Sequence, residues 1–136
     1  ESYGASLGQL LKTVPASRRI AVASLPPLPG KEATDLLARY NSEIYKIVKE
    51  HPRAVYVPFG ESLECMGGEQ EDAFDASYIG FAKTISQMFY HTGLRWSPNG
   101  PSFNALAANN GRKVLHDNIH LTEKSISILL DLMLQA

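Results

Sequence analysis

The sequence predicts an α/β chain, with helices layered on a short sheet whose strands run parallel. Three observations carry this. Residues 19–24 (RIAVAS) and 54–58 (AVYVP) are short β-prone runs with apolar centres. Between them, residues 32–50 place Leu36, Leu37, Tyr40, Ile44, Ile47 and Val48 at i, i+1, i+4, i+8, i+11 and i+12. That is one face of a helix of 3.6-residue period. Strand, helix and strand in alternation indicate α/β layers.

The remaining elements follow in order. Residues 7–14 carry a short helical stripe of Leu7, Leu10, Leu11 and Val14. The first strand is stopped by Leu25-Pro26-Pro27-Leu28-Pro29-Gly30, because proline fixes φ and lacks a donor. A rigid loop is thus expected at the C-terminal end of a buried strand. Pro52 ends the long helix. Residues 60–75 read as a solvated acidic loop with Glu61, Glu64, Glu69, Glu71, Asp72 and Asp75; calcium ligand spacing is missing. A further helix is expected with Tyr78, Phe81, Ala82, Ile85 and Phe89 inward and Gly93 just past its end. Residues 93–112 read as a long connection anchored by Trp96 and Phe103, with a ligand-facing Trp96 as the alternative. The last helix starts at about Thr122, its N-cap, with Ile126, Leu129, Leu130 and Met133 inward.

The chain has 136 residues, with 13 Lys+Arg against 14 Asp+Glu, a net charge of −1. That balance argues against broad electrostatic binding of nucleic acid or of an anionic membrane. Hydrophobic residues make up 44% and charged residues 20%, a composition that builds a globular core rather than a disordered tail. The length suits one domain. No apolar run approaches a membrane span. Cys65 is the sole cysteine, so no intrachain disulfide can form. With no Asn-x-Ser/Thr sequon, this mildly favours a cytoplasmic, reducing compartment. The opening Glu1-Ser2-Tyr3-Gly4 looks like a processed or truncated end.

One stretch can carry chemistry: His116-Asp117-Asn118-Ile119-His120-Leu121-Thr122-Glu123-Lys124. An acid three residues before a histidine, in a turn entering a helix, can set both side chains on one edge. The carboxylate then accepts Nδ1–H and leaves Nε2 free as a base. The nearby helix N-terminus disfavours imidazolium. A helix-capping aspartate beside a surface histidine is the structural alternative.

Asp117 to Lys124 resembles the final block of the SGNH (GDSL-type) hydrolases, in which an Asp-x-x-His-Leu stretch supplies two members of a triad. Upstream pieces agree in order: Ile20 to Pro27 is similar to a family strand ending in a Pro-Pro loop, and Tyr40-Asn41 lies in the helix after it. The resemblance covers about residues 5–136. It implies that residues 1–136 are the C-terminal portion of one three-layer α/β/α, flavodoxin-like domain. It implies an esterase or lipase working through an acyl-serine, with His120 as base, Asp117 as orienting acid and no cofactor. The family's Ser, Gly and Asn blocks are not recognisable here. The nucleophile is therefore expected on an upstream segment, and tight association with that missing half, or with a second copy, is expected to cover an open sheet edge.

Gly60-Glu61-Ser62-Leu63 superficially resembles the nucleophile block but stands in the wrong place. Ser62 reads as an ordinary loop serine, with an in-chain nucleophile as the alternative. His116, Asp117 and His120 can also chelate a metal, which gives a metal-dependent hydrolase as a further alternative. A non-catalytic half-domain that binds a ligand or partner is another. His51 and His91 read as surface or helix-end residues.

Overall fold

The computed structural model describes residues 3–28, 31–65, 78–117 and 120–136. Helix α1 (Tyr3–Thr13) turns into strand β1 (Ile20–Ala23), and α2 (Lys31–Glu50) returns the chain to β2 (Ala54–Val57). Helices α3 (Phe59–Glu64), α4 (Tyr78–Arg95), α5 (Phe103–Asn109) and α6 (Glu123–Gln135) follow. The result is a mixed, helix-rich α/β arrangement. Among the described residues the sheet has two strands, paired parallel as expected, with Ile20 opposite Ala54 and Ala23 opposite Val57.

The ends of the strands are tied by side chains. Asn41 on α2 accepts the Leu25 N–H through Oδ1 (2.7 Å) and donates Nδ2 to the Leu25 carbonyl (3.1 Å). This satisfies both backbone groups where the proline loop cannot pair with a strand. Beside it, Ser24 is buried. Its Oγ accepts the Gly60 N–H at 2.8 Å and donates to Glu61 Oε2 at 2.5 Å. Tyr56 donates to the other oxygen of Glu61. At the opposite end, Arg53 donates Nη1 to the carbonyls of Pro15 (2.6 Å) and Arg18 (3.1 Å).

Val57, Phe59, Leu63, Val114 and Leu115 form the buried core. Ala23, Leu28, Leu121, Ile128, Leu129 and Leu132 pack around it. On the other flank Leu11, Ile44 and Val48 are buried where α1 meets α2.

Several expectations are corrected. Residues 59–64 are a helix rather than the start of a loop: Phe59 and Leu63, one turn apart, both enter the core. Glu61 is not merely solvated but holds Ser24 and Tyr56; Glu69, Glu71, Asp72 and Asp75 lie outside the described residues. Helix α4 runs through Gly93 to Arg95, so Gly93 is not its cap. Its buried stripe is Gly80, Thr84 and His91, and Phe89 is 67% exposed. Tyr78 and Phe81 have side chains outside the described set. Residues 103–109 form a helix started by Ser102, whose Oγ accepts the Ala105 N–H. Trp96 is 81% exposed rather than buried against the body.

Thr122 is the N-cap of α6, as the sequence predicts. The helix is nevertheless rotated from the expected face. Ser125 Oγ donates to the buried Val114 carbonyl at 2.9 Å, so Ser125, Ile128, Leu129 and Leu132 turn inward. Ile126, Leu130 and Met133 remain exposed. Leu36 on α2 is exposed as well.

Burial alone raises the Glu61 carboxyl, but the donors Ser24 and Tyr56 outweigh it and hold it below the usual glutamate value of 4.5. Tyr56 is pushed up to about 12, first by burial and then by its bond to Glu61. Because the folded state binds the Glu61 proton less tightly, its contribution to stability is complete above about pH 4.5. It fades as pH falls through the lowered folded value. Glu61→Gln is therefore expected to be less stable than the parent at pH 7 in urea unfolding. The gap should shrink below pH 4.5. A gap that stays constant down to pH 3 would remove Glu61 from the acid response.

Candidate functional site

The site lies on the loop between α5 and α6. The loop is pinched at its base by an antiparallel bridge between Leu115 and Leu121. The bridge is flanked by His116 N–H to the His120 carbonyl (3.0 Å) and Thr122 N–H to the Val114 carbonyl (2.9 Å). Asp117 sits inside the pinch, 0% exposed. Its Oδ1 accepts the His120 N–H at 2.7 Å, and its Oδ2 lies 2.8 Å from His120 Nδ1. Arg112 donates Nη1 to the Asp117 carbonyl.

The two carboxylate oxygens thus fix both the backbone and the ring of His120. A carboxylate only accepts, so Nδ1 carries the proton, and in the neutral ring Nε2 then holds the lone pair. The His120 side chain is 46% exposed, so that nitrogen belongs to a ring with solvent access. It borders a cleft of about 530 Å³ lined by Met88, Thr92, Phe103, His116, His120, Leu121 and Ile126. Most of these side chains are apolar, which suits an uncharged group beside the imidazole.

Behind His120 stands a buried arrangement that the sequence does not reveal. His91 is buried rather than a surface residue, and its Nδ1 lies 3.2 Å from His116 Nδ1. Phe103 stacks on His116 with centroids 4.2 Å apart. Burial holds the His116 imidazole below the ordinary histidine value. His91 and His120 add to that shift, against the opposing pull of Asp117 and Glu123. The signal in the sequence was weak: Thr84 and His91 lie seven residues apart on one helix face, with only Met88 between them as an apolar side chain on that face.

Helices α5 and α6 hold one another by their N-termini. Glu123 accepts the N–H groups of Phe103 (2.9 Å) and Asn104 (2.8 Å), and Asn104 Oδ1 accepts the Lys124 N–H (3.0 Å). Arg95 Nε lies 3.5 Å from Glu123. Burial raises the Glu123 carboxyl, but these backbone donors and then Arg95 leave it below the ordinary glutamate value. Phe103 is thereby set against His116.

His116, Asp117 and His120 offer one ligand atom each within 4.8 Å of one another. Around a tetrahedral zinc ion, ligand atoms about 2.0–2.1 Å from the metal stand roughly 3.3 Å apart. Asp117 and His120 meet at 2.8 Å, the spacing of a charge-assisted hydrogen bond. At that spacing Asp117 and His120 are bonded to one another rather than set apart as tetrahedral zinc ligands would be.

Ser62 is not brought to this site. It is absent from the lining of the His120 cleft, and its Oγ donates to the Pro58 carbonyl at 2.7 Å within its own helix. His51 stays half-buried at a helix end, where Nδ1 accepts the Arg53 N–H at 3.4 Å. Among the described residues no helix is long and apolar enough to cross a membrane. No family model, curated protein or solved structure matches the chain.

Proposed function

We propose that the chain supplies the base and the orienting acid of an SGNH-type ester hydrolase that works through an acyl-serine intermediate. The observation that carries this is the 2.8 Å contact from buried Asp117 to the half-exposed His120 ring, beside an apolar cleft. On this reading the chain is the C-terminal portion of a three-layer α/β/α domain. A serine from outside its 136 residues completes the site, and that segment or a second copy covers the sheet edge.

In the reaction His120 Nε2 takes the serine proton as the serine oxygen bonds to the substrate carbonyl carbon. Asp117 steadies the imidazolium that forms. His120 then returns the proton to the departing alcohol as the carbon–oxygen ester bond breaks. Water, deprotonated by the same imidazole, releases the acid and regenerates the serine. The apolar side chains of the cleft favour an uncharged acyl or alcohol group.

The test uses the chain expressed together with the residues encoded upstream of it. Hydrolysis of short-chain p-nitrophenyl esters is expected, with one serine labelled by a fluorophosphonate and no loss of activity on chelation. Labelling of Ser62 would place the nucleophile within the chain. Loss on chelation with restoration by zinc, and no serine labelling, would replace the proposal by the metal-dependent reading. Absence of both turnover and labelling would leave a binding module.

A further inference from the structure

His116 is a buried imidazole beside the proposed base, 4% exposed. Four groups surround its ring. Phe103 lies on it with planes 17° apart. The His120 ring runs nearly parallel to it, 19° apart in plane and 5.8 Å between centroids. Its Nδ1 meets His91 Nδ1 at 3.2 Å and stands 3.8 Å from Asp117 Oδ2.

A contact between two Nδ1 atoms at hydrogen-bond distance requires one ring to carry the proton there and the other to present its lone pair. The nearby carboxylate oxygen favours the proton on His116. His116 then donates to His91, which satisfies its buried polar edge and pins its rotation. One flat ring is thus fixed on its edge by His91 and on its face by Phe103, and it presents a parallel surface toward His120.

His120 gains from such a surface. Its side chain is 46% exposed, and the hydrogen bond to Asp117 sets the Nδ1 edge of the ring but restrains its tilt less. Its backbone is secured separately, through Asp117 Oδ1 and the bond from the His116 N–H to the His120 carbonyl. A change in the His116 side chain therefore acts on the His120 ring without releasing the loop.

We propose that His116 is a positioning residue: a fixed aromatic wall, anchored by His91 and backed by Phe103, that keeps the His120 ring in the plane Asp117 requires. Its effect on turnover rests on the ester-hydrolase reading.

The experiment compares His116→Phe with His116→Leu. Both fill the buried volume with apolar atoms, and only phenylalanine offers a flat ring. Long-range nitrogen–proton NMR of the chain reads the His120 tautomer directly, without substrate. The parent and His116→Phe are expected to hold neutral His120 as the Nδ1–H form. His116→Leu is expected to give a mixture of tautomers. Where esters are turned over, kcat should fall about ten- to a hundredfold in the leucine variant with KM little changed, and recover in the phenylalanine variant. Phe103→Leu, which spares His116 itself, should produce the same mixed tautomers, and serves if either His116 variant fails to fold. Equal tautomer populations in parent, His116→Leu and Phe103→Leu would overturn the proposal, as would a phenylalanine variant no better than leucine. A parent that hydrolyses no ester yet shows the tautomer contrast would fail the hydrolase reading alone.

Discussion

Asp117→Asn is expected to lower kcat for ester hydrolysis by about four orders of magnitude while leaving the chain folded. Asparagine has the shape of aspartate, and its carbonyl can still accept the His120 N–H that Asp117 Oδ1 accepts at 2.7 Å. Its amide nitrogen then faces His120 Nδ1, where Oδ2 now stands at 2.8 Å. A donor cannot face a donor, so the ring must move its proton to Nε2. The atom that should take the serine proton then already holds one. His120→Ala should match this loss. Circular dichroism and urea unfolding close to the parent, together with activity at background, are the expected pair of results. Retention of more than about a tenth of parental kcat in either variant would remove the dyad from the chemistry. Asp117→Ala differs, because it also leaves the His120 N–H without its side-chain acceptor, and a loss of stability of about 1–3 kcal/mol is expected with it.

Gly60→Ala is expected to destabilise the chain strongly, by about 3 kcal/mol, with a fall in melting temperature of roughly 10 °C. A Cβ on Gly60 would overlap the Leu25 carbonyl oxygen and stand 3.2 Å from Asn41 Nδ2. None of these groups can yield cheaply. The Leu25 backbone is held on both its N–H and its carbonyl by Asn41, and the Gly60 N–H is bonded to the buried Ser24 hydroxyl. The new methyl must push β1 and α3 apart or break that cluster. Gly93→Ala is the control. It lies within α4 with open space around its Cβ position, so alanine there should stabilise by up to about 1 kcal/mol. Urea midpoints of the two variants should move in opposite directions. A Gly60→Ala midpoint within error of the parent would disprove the close approach.

The parts of this fold that the sequence discloses are those written in local pattern. β1, α2 and β2 are legible because two β-prone runs bracket a long 3.6-residue period, and their parallel pairing follows. The cap at Thr122 and the Asp117–His120 contact are legible because each joins residues three apart. The short helices α3 and α5 escape because six or seven residues give too few turns to establish a period. The inward faces of α4 and α6 are misjudged for a different reason. There the polar Thr84, His91 and Ser125 go inside while the apolar Phe89, Leu130 and Met133 stay out. Those polar groups are buried because partners distant in sequence satisfy them: His116 for His91, and the Val114 carbonyl for Ser125. No window along the chain contains both partners of the His91 pair, which are 25 residues apart.

The pinch between Leu115 and Leu121 makes the backbone placement of His120 and its contact with Asp117 largely self-contained. Its acid, its backbone restraint and the bridge that shapes the turn all arise within one short stretch. Such a stretch behaves as a portable module. Grafted between the ends of another helix pair of similar separation, it should carry the Asp117–His120 contact along, but the ring would still need counterparts of Phe103 and His91 behind His116. The exposed surface of α2 can meanwhile diversify without disturbing it, whereas α4 must keep His91 against His116.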